Sequence, residues 1–344
     1  MSLSDLSNPK AAAQLIDQFR KRFSSKTCMA PHSDHNGSIV SAHTLSVESM
    51  LRRIAIDGHV YAAVGARNLA SDQFPIEVAR RGIRDVSVFN GFCQGHDRDL
   101  FSCLETEPFR FTRKQCFMLA YRAACRECYL KRRQFETVPS TEAFRAVHGR
   151  EPPPGLAEAM LLMQAGSLSG ANDAEALKVA LDSFLLKEEW DRVVTHAVLF
   201  PRTPSILATA AFQPFFTMDG EQLQDFADLE GEVSNMCFSL IPLESGGAAI
   251  FSWLDTHSGV PKRYFESVLR QADLTTSVMH VALDNTENVA FAPVWYENLE
   301  PDEKAYLFSR ILQFEAGPDY ASRKKSGNSL RKLDDWGNGK AASF

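Results

Sequence analysis

The sequence predicts an α+β protein: an α-rich N-terminal module followed by a mixed, largely antiparallel sheet domain. Three observations carry that expectation. The longest stretch with apolar residues at helical spacing, FRFTRKQCFMLAYRAACRECYLKRRQF, lies in the first half. From Arg192 onward the pattern changes to short apolar runs, VVTHAVLF, ILATAAFQPFF, NMCFSLIPL, AAIFSWL and SVMHVAL, with the length and the β-branched or aromatic content of strands. Between the two lies EPPPG at 151–155, a run that breaks any regular element and marks a boundary.

Taken in order, residues 9–24 read as a helix with Leu15, Ile16, Phe19 and Phe23 on one face. KTCMAPHSDHNGS is dense in turn formers. IVSAHTLS follows as a short strand, and VESMLRRIAIDGHVYA as a helix ending near Gly58 and then a strand. Residues 66–90 lack periodicity, with a short strand expected at Ile83–Phe89. A long helix over 112–133 is announced by Thr112 and Gln115, a capping-box pair. Phe117, Tyr121, Ala124 and Cys128 mark its buried face, and Lys131, Arg132 and Arg133 close it where the helix dipole favours cations. Residues 151–191 form a helical connector of two helices, 155–166 and 172–190, separated by GSLSGAND. The 192–320 domain interleaves its strands with helices at about 261–272 and 301–313, and ESGG is a hairpin turn. The basic, Gly/Ser-rich tail 321–344 is expected to be disordered.

The composition, 44% hydrophobic and 23% charged, is that of a globular protein with enough apolar surface for a core. No apolar run reaches the roughly 18–20 residues that cross a bilayer, and the N-terminus has no signal-peptide h-region. The expectation is a cytoplasmic protein with no membrane partner. Seven cysteines in an odd set suit a reducing compartment, where a Cys near a His is a metal ligand or a buried thiol. The formal charge of −6 is uneven. Residues 1–150 carry a balance of +7, residues 151–320 one of −17, and the tail one of +4. The basic 1–150 module can face nucleic acid, and the acidic domain a protein or small ligand. Alternatively, the opposite charges help the two halves dock on each other.

FCQGHDRDLF at 92–101 holds the most specific chemistry. Cys93 and His96 have the spacing at which a turn aims two side chains at one ion, with Gly95 between them. Upstream, TCMAPHSDH pairs Cys28 with His32, or with His35. Cys28, His32, Cys93 and His96 thus make a four-ligand N/S set suited to structural zinc, His35 being the alternative to His32. Cys125 and Cys128 also form a C-x-x-C, but inside the long helix, where Cys128 reads as core and Cys125 as flank.

Two such turns, the first followed by a strand and a helix and the second opening toward a helix, resemble a treble-clef zinc fold over roughly residues 26–105. The apolar-x-x-His strand ending in His43 resembles the start of the HNH endonuclease motif. That resemblance implies that His43 is the base that polarises water for attack on a phosphodiester. It also implies that Asp97 helps hold a catalytic Mg²⁺ or similar ion. Ala42 stands where an acidic residue directly before the His would be, and the segment between the turns is long. Arg52, Arg53, Arg80, Arg81 and Arg84 are the candidate phosphate contacts. The same side chains have plainer readings: His43 as a zinc ligand or a hydrogen-bonded buried histidine, Asp97 as a helix N-cap, Cys93 as a buried thiol, His59 as a strand residue.

In the second half, LDNTENVAFAPVWYENL at 283–299 sets Asp284, Asn285, Glu287 and Asn288 before Phe291, Pro293 and Trp295. This is a polar cluster beside aromatics that either lines a pocket or forms an Asx turn. His196, His257 and His280 lie near strand-like runs, and His280 with Asp284 and Glu287 is a weaker candidate for an acid–base site. No phosphate loop, dinucleotide fingerprint, nucleophile elbow or kinase pattern is present.

Overall fold

The computed structural model describes residues 24–65, 76–225, 233–257, 259–313 and 330–344, together with Lys10, Gln14, Asp17, Gln18, Lys21 and Arg22. Those six single residues are helical, whereas Leu15, Ile16, Phe19 and Phe23 lie outside the described residues.

The N-terminal part opens with β1 (Ile39–His43) and a wide helical turn, Val47–Leu51, that runs on into Arg52–Ile54. Ser46 caps that turn by accepting the Ser49 N–H. β2 (His59–Gly65) and β3 (Ile76–Gly82) pair antiparallel, and Asp57 and Gly58, both at positive φ, make the bend into β2. In place of one strand over Ile83–Phe89 there is a 3-10 turn, Ile83–Asp85, and then β4 (Val88–Cys93). β4 pairs antiparallel with β1, Ile39 opposite Cys93 and His43 opposite Val88.

Helix α1 (Gln94–Glu105) starts where β4 stops. α2 (Arg113–Thr137) is the expected long helix, extended at its C-terminal end. Thr112 accepts the Gln115 N–H at 3.2 Å, as a cap should. The Gln115 amide does not close a capping box. It donates to the Cys103 and Pro108 carbonyls and accepts the Arg110 N–H, so it ties down the connection from α1. Phe117, Tyr121, Ala124 and Cys128 are buried as expected, and Cys125, expected at the flank, is fully buried too. α3 (Thr141–His148) ends on Gly149 in the left-handed conformation.

The connector is one helix, α4 (Pro154–Lys187), and not two. Two glycines inside GSLSGAND disfavour a helix by about 1 kcal/mol each. Packing overrides that: Ala171, Ala174, Leu177, Leu181 and Leu185 are buried, and the helix lies along α2. Tyr121 donates to Asp182 at 2.7 Å, and Lys178 pairs with the same carboxylate at 2.5 Å.

The remaining strands are β5 (Val193–Phe200), β6 (Ile206–Phe212), β7 (Met236–Pro242), β8 (Gly247–Leu254), β9 (Val289–Phe291) and β10 (Lys340–Ser343). The helices among them are α5 (Gly259–Leu269), α6 (Leu274–Asn285), α7 (Pro293–Asn298) and α8 (Pro301–Gln313). SVMHVAL is therefore helical and not a strand. Asp273 caps α6 by accepting the Thr276 N–H, and a run this short and this apolar is buried equally well by either period.

All seven pairings of the main sheet are antiparallel, in the order β10-β5-β8-β7-β6-β9-β2-β3. The sheet crosses the boundary drawn at EPPPG, because β2 and β3 of the N-terminal part extend it through β9. Its alternating side chains feed two cores. Leu207, Cys237, Ile241, Ala248 and Ile250 face α2, α4 and the β1–β4–α1 unit. Phe200, Phe238, Leu240, Phe251 and Trp253 face α5, α6 and α8. Residues 330–344, expected to be disordered, are built into this second layer. Trp336 is 1% exposed against Phe200, and β10 forms the edge beside β5. The low hydrophobic content of the tail hid one fully buried anchor. Residues 321–329 lie outside the described residues.

Candidate metal centre

Three segments meet at the start of α1. The turn after Ser24 is fastened to β4 by Thr27 N–H to the Asn90 carbonyl and Met29 N–H to the Gly91 carbonyl. This sets Cys28 beside Cys93, the last residue of β4 and the N-cap residue of α1. The turn returns to α1 through Gly95 N–H to the Asn36 carbonyl at 3.0 Å and Gln94 N–H to the Ser38 carbonyl at 2.9 Å. Gly95 serves close approach here and not an unusual φ. A Cβ on it would sit 3.0 Å from the Asn36 Cβ and 3.2 Å from its carbonyl oxygen.

One ligand atom from each of Cys28, His35, Cys93 and His96 lies within 4.8 Å of the others. Nδ1 of His96 is 3.3 Å from both the Cys28 and the Cys93 sulfurs. With Zn–S near 2.3 Å and Zn–N near 2.0 Å, the S···N edge of a tetrahedral site is about 3.5 Å. The two sulfur, two nitrogen donor set therefore fits zinc in kind and in spacing. Nε2 of His96 faces the Asp34 carboxylate at 3.7 Å, the outer partner that orients a ligating imidazole. Burial pushes the Cys28 thiol up. Burial acts the same way on Cys93, but backbone N–H groups of His96 and Asn36, the Cys28 side chain and the Gly95 N–H outweigh it and hold that thiol below its ordinary value.

The fourth donor in this cluster is His35, where the sequence had offered His32 first. The ring of His32 is still close, 5.7 Å from that of His96. Local spacing could not separate the two, because both lie in a turn without periodic structure. Among the described residues this is the one group of three or more His, Cys, Asp or Glu side chains with such geometry.

His43 closes β1, half-buried, with Nε2 3.2 Å from the Arg84 carbonyl. Burial lowers its pKa, against the raising effect of that carbonyl. Asp97 lies in the first turn of α1 but is not its N-cap, which is Cys93. Its Oδ1 is buried without a hydrogen-bond partner among the described residues, and burial raises its pKa. Asp97, Phe101 and Glu105 follow each other at four-residue steps and share a face of α1. Arg122 of α2 lies over the Phe101 ring at 4.1 Å and donates to Glu105 at 2.8 Å. Ser46 donates to the other oxygen of Glu105. Sequence reasoning missed Glu105 and Arg122; the four-residue stripe through Phe101 is the signal that points to the first.

The candidate phosphate contacts are spread over three elements. Arg52 is paired with Glu48 at 2.6 Å, Arg53 donates to the Leu243 carbonyl at 2.8 Å, and Arg81 lies 3.5 Å from Glu77. Arg80 is exposed on β3 and Arg84 in the turn before β4. His59 is exposed, its Nδ1 2.7 Å from the Asp57 carbonyl.

The weaker acid–base candidate is not assembled. His280 is fully buried beside Tyr306, Asp284 is ion-paired with Arg310, and Glu287 reaches away to Arg126 of α2 at 2.9 Å. Thr286 and Asn288 bond within the 283–299 turn, Thr286 accepting the Asn288 N–H, which is structural use. His196 meets Ser343 of β10 at 2.9 Å, and His257 lies in the turn after β8. No helix among the described residues is long and apolar enough to cross a membrane. Comparison of the chain with family models, with curated proteins and with solved structures found no match.

Proposed function

We propose that this is a zinc-containing protein of the treble-clef type that acts on nucleic acid through an HNH-like unit of two strands and a helix. The observation that supports this is the meeting of the Cys28, His35, Cys93 and His96 donor atoms within 4.8 Å at the start of α1. A turn, the antiparallel pair β1 and β4, and the start of α1 surround them, which supports the treble-clef reading although β2 and β3 are inserted between β1 and β4. Zinc bound there ties the turn to the strand end and the helix start, a structural contribution. In this reading His43, at the end of β1, is the base, and Asp97, on α1, helps hold the catalytic ion. With its pKa held down by burial, His43 is neutral at neutral pH. Donation from Nε2 to the Arg84 carbonyl leaves Nδ1 as the nitrogen that accepts a proton from water.

A second reading is a non-catalytic, zinc-stabilised binding protein whose acidic part takes a protein or small ligand. Two observations favour it: Asp97 is joined by no cluster of further ligands among the described residues, and Arg52, Arg53 and Arg81 already have partners within the chain.

Metal analysis by mass spectrometry comes first. About one zinc per chain is expected, and its loss in Cys93→Ser. Cleavage of single- and double-stranded DNA and RNA with added Mg²⁺ or Mn²⁺ follows, with His43→Ala expected to keep its zinc and to cleave at least about 100-fold more slowly. A folded, zinc-reconstituted preparation that holds no zinc overturns the metal reading. Zinc without cleavage selects the second reading, and undiminished cleavage by His43→Ala removes the proposed base.

A further inference from the structure

We infer that one corner of the metal site is served by two histidines, His35 and His32, as interchangeable ligands of the same ion. The inference rests on the zinc reading above. Both imidazoles belong to the turn between Cys28 and Ser38, and both stand against His96. The His35 ring meets it edge-on at 5.3 Å and the His32 ring, tilted, at 5.7 Å.

Their surroundings differ in a way that gives each a part. His35 is exposed, whereas Cys93 and His96 are buried. His32 is half-buried, and its Nδ1 is shut off from solvent with no hydrogen-bond partner among the described residues. A buried imidazole nitrogen with nothing to bond is destabilising, and coordination of a cation removes that cost. The turn is fixed at both ends, by Met29 N–H to the Gly91 carbonyl and by the bonds from Gly95 and Gln94 back to Asn36 and Ser38. Residues 30–35, which include both histidines, span the interval between those ties. A small shift of this arc exchanges one imidazole for the other while Cys28, Cys93 and His96 stay in place. The ion keeps two sulfurs and two nitrogens in either arrangement. The exposed His35 is the corner that opens when metal enters or leaves, and His32 closes the set behind it.

Zinc K-edge X-ray absorption counts sulfur and imidazole ligands directly, and chelator-driven zinc release gives a rate. Wild type, His35→Ala and His32→Ala are each expected to hold about one zinc with two sulfurs and two imidazoles. The double variant is expected to show two sulfurs and one imidazole and to release zinc at least about tenfold faster than wild type. Loss of one imidazole in zinc-loaded His35→Ala, or loss of its zinc while wild type stays loaded, overturns the inference. Should His35→Ala fail to fold, His32→Ala decides through its release rate: faster than wild type supports a second ligand, and an unchanged rate overturns it. A wild-type protein without zinc is a separate result and overturns the zinc reading itself.

Discussion

At Cys93 one residue ends a strand, stands at the N-cap of a helix and sets a sulfur in the cysteine–histidine cluster that could hold a metal. The C-x-x-H spacing made this legible, because the geometry it encodes is contained in one turn. The choice between His32 and His35 was not legible, since it depends on how the first turn is fastened to β4 and α1 across some 60 residues of chain. The same limit hid the destination of Asp284. It reads as a polar turn residue, yet it is 6% exposed and paired with Arg310 of α8, which is 7% exposed. Arg310→Met leaves the Asp284 carboxylate buried without its counter-ion and is expected to destabilise the fold by about 3–5 kcal/mol. Adding Asp284→Leu should recover most of that loss. Urea denaturation of the two single variants and the double checks this; additive losses would mean that the pair is not coupled.

Elements were legible where the local pattern decided the structure and were misread where packing overrode or hid that pattern. α2 and strands β5 to β8 stand where the apolar pattern put them. α6 did not, because its apolar run is buried nearly all round and leaves no polar face to reveal a helical period. α4 reads through two glycines because α2 supplies a continuous surface. β10 could not be foreseen from composition: four residues gain their order from the β5 edge, from Phe344 stacked on Phe111 at 4.2 Å, and from Trp336 upstream. Deleting residues 340–344 is expected to lower stability by about 1–3 kcal/mol through the lost ladder bonds. It also bares the β5 edge for pairing with other chains. Urea midpoints and sedimentation at several concentrations test both effects; an unchanged midpoint with no association would show that β10 only decorates the sheet.

At the scale of the whole molecule, the charge asymmetry has a partial internal account. Arg126 and Arg132, from the basic half, pair with Glu287 and Glu175 of the acidic part, and Arg53 bonds the Leu243 carbonyl. These contacts join the basic and acidic parts of the chain. Stability of that assembly should depend on pH through His43 and His196, both held below their ordinary 6.5 chiefly by burial. As pH falls through 6.5 the unfolded chain takes up these protons before the folded one does. Stability therefore declines below that point, and this contribution levels off once the folded values are passed. Urea unfolding at pH 8 and pH 5.5 should show the decline, and His43→Gln with His196→Gln should reduce it. An equal slope in the double variant would place the pH sensitivity elsewhere.

The crossing of the main sheet through β9 has a consequence for how the chain is made. β2 and β3 are complete once residue 82 has been added, but their neighbour β9 is Val289–Phe291. At about 5–20 residues per second, a ribosome needs roughly 10 to 40 s to reach it. During that interval the hairpin has no sheet to join, while Cys28, His35, Cys93 and His96 have all emerged early. Whatever order the early chain gains in that interval has to come from the β1–β4–α1 unit and the cysteine–histidine cluster at its corner, and not from the main sheet.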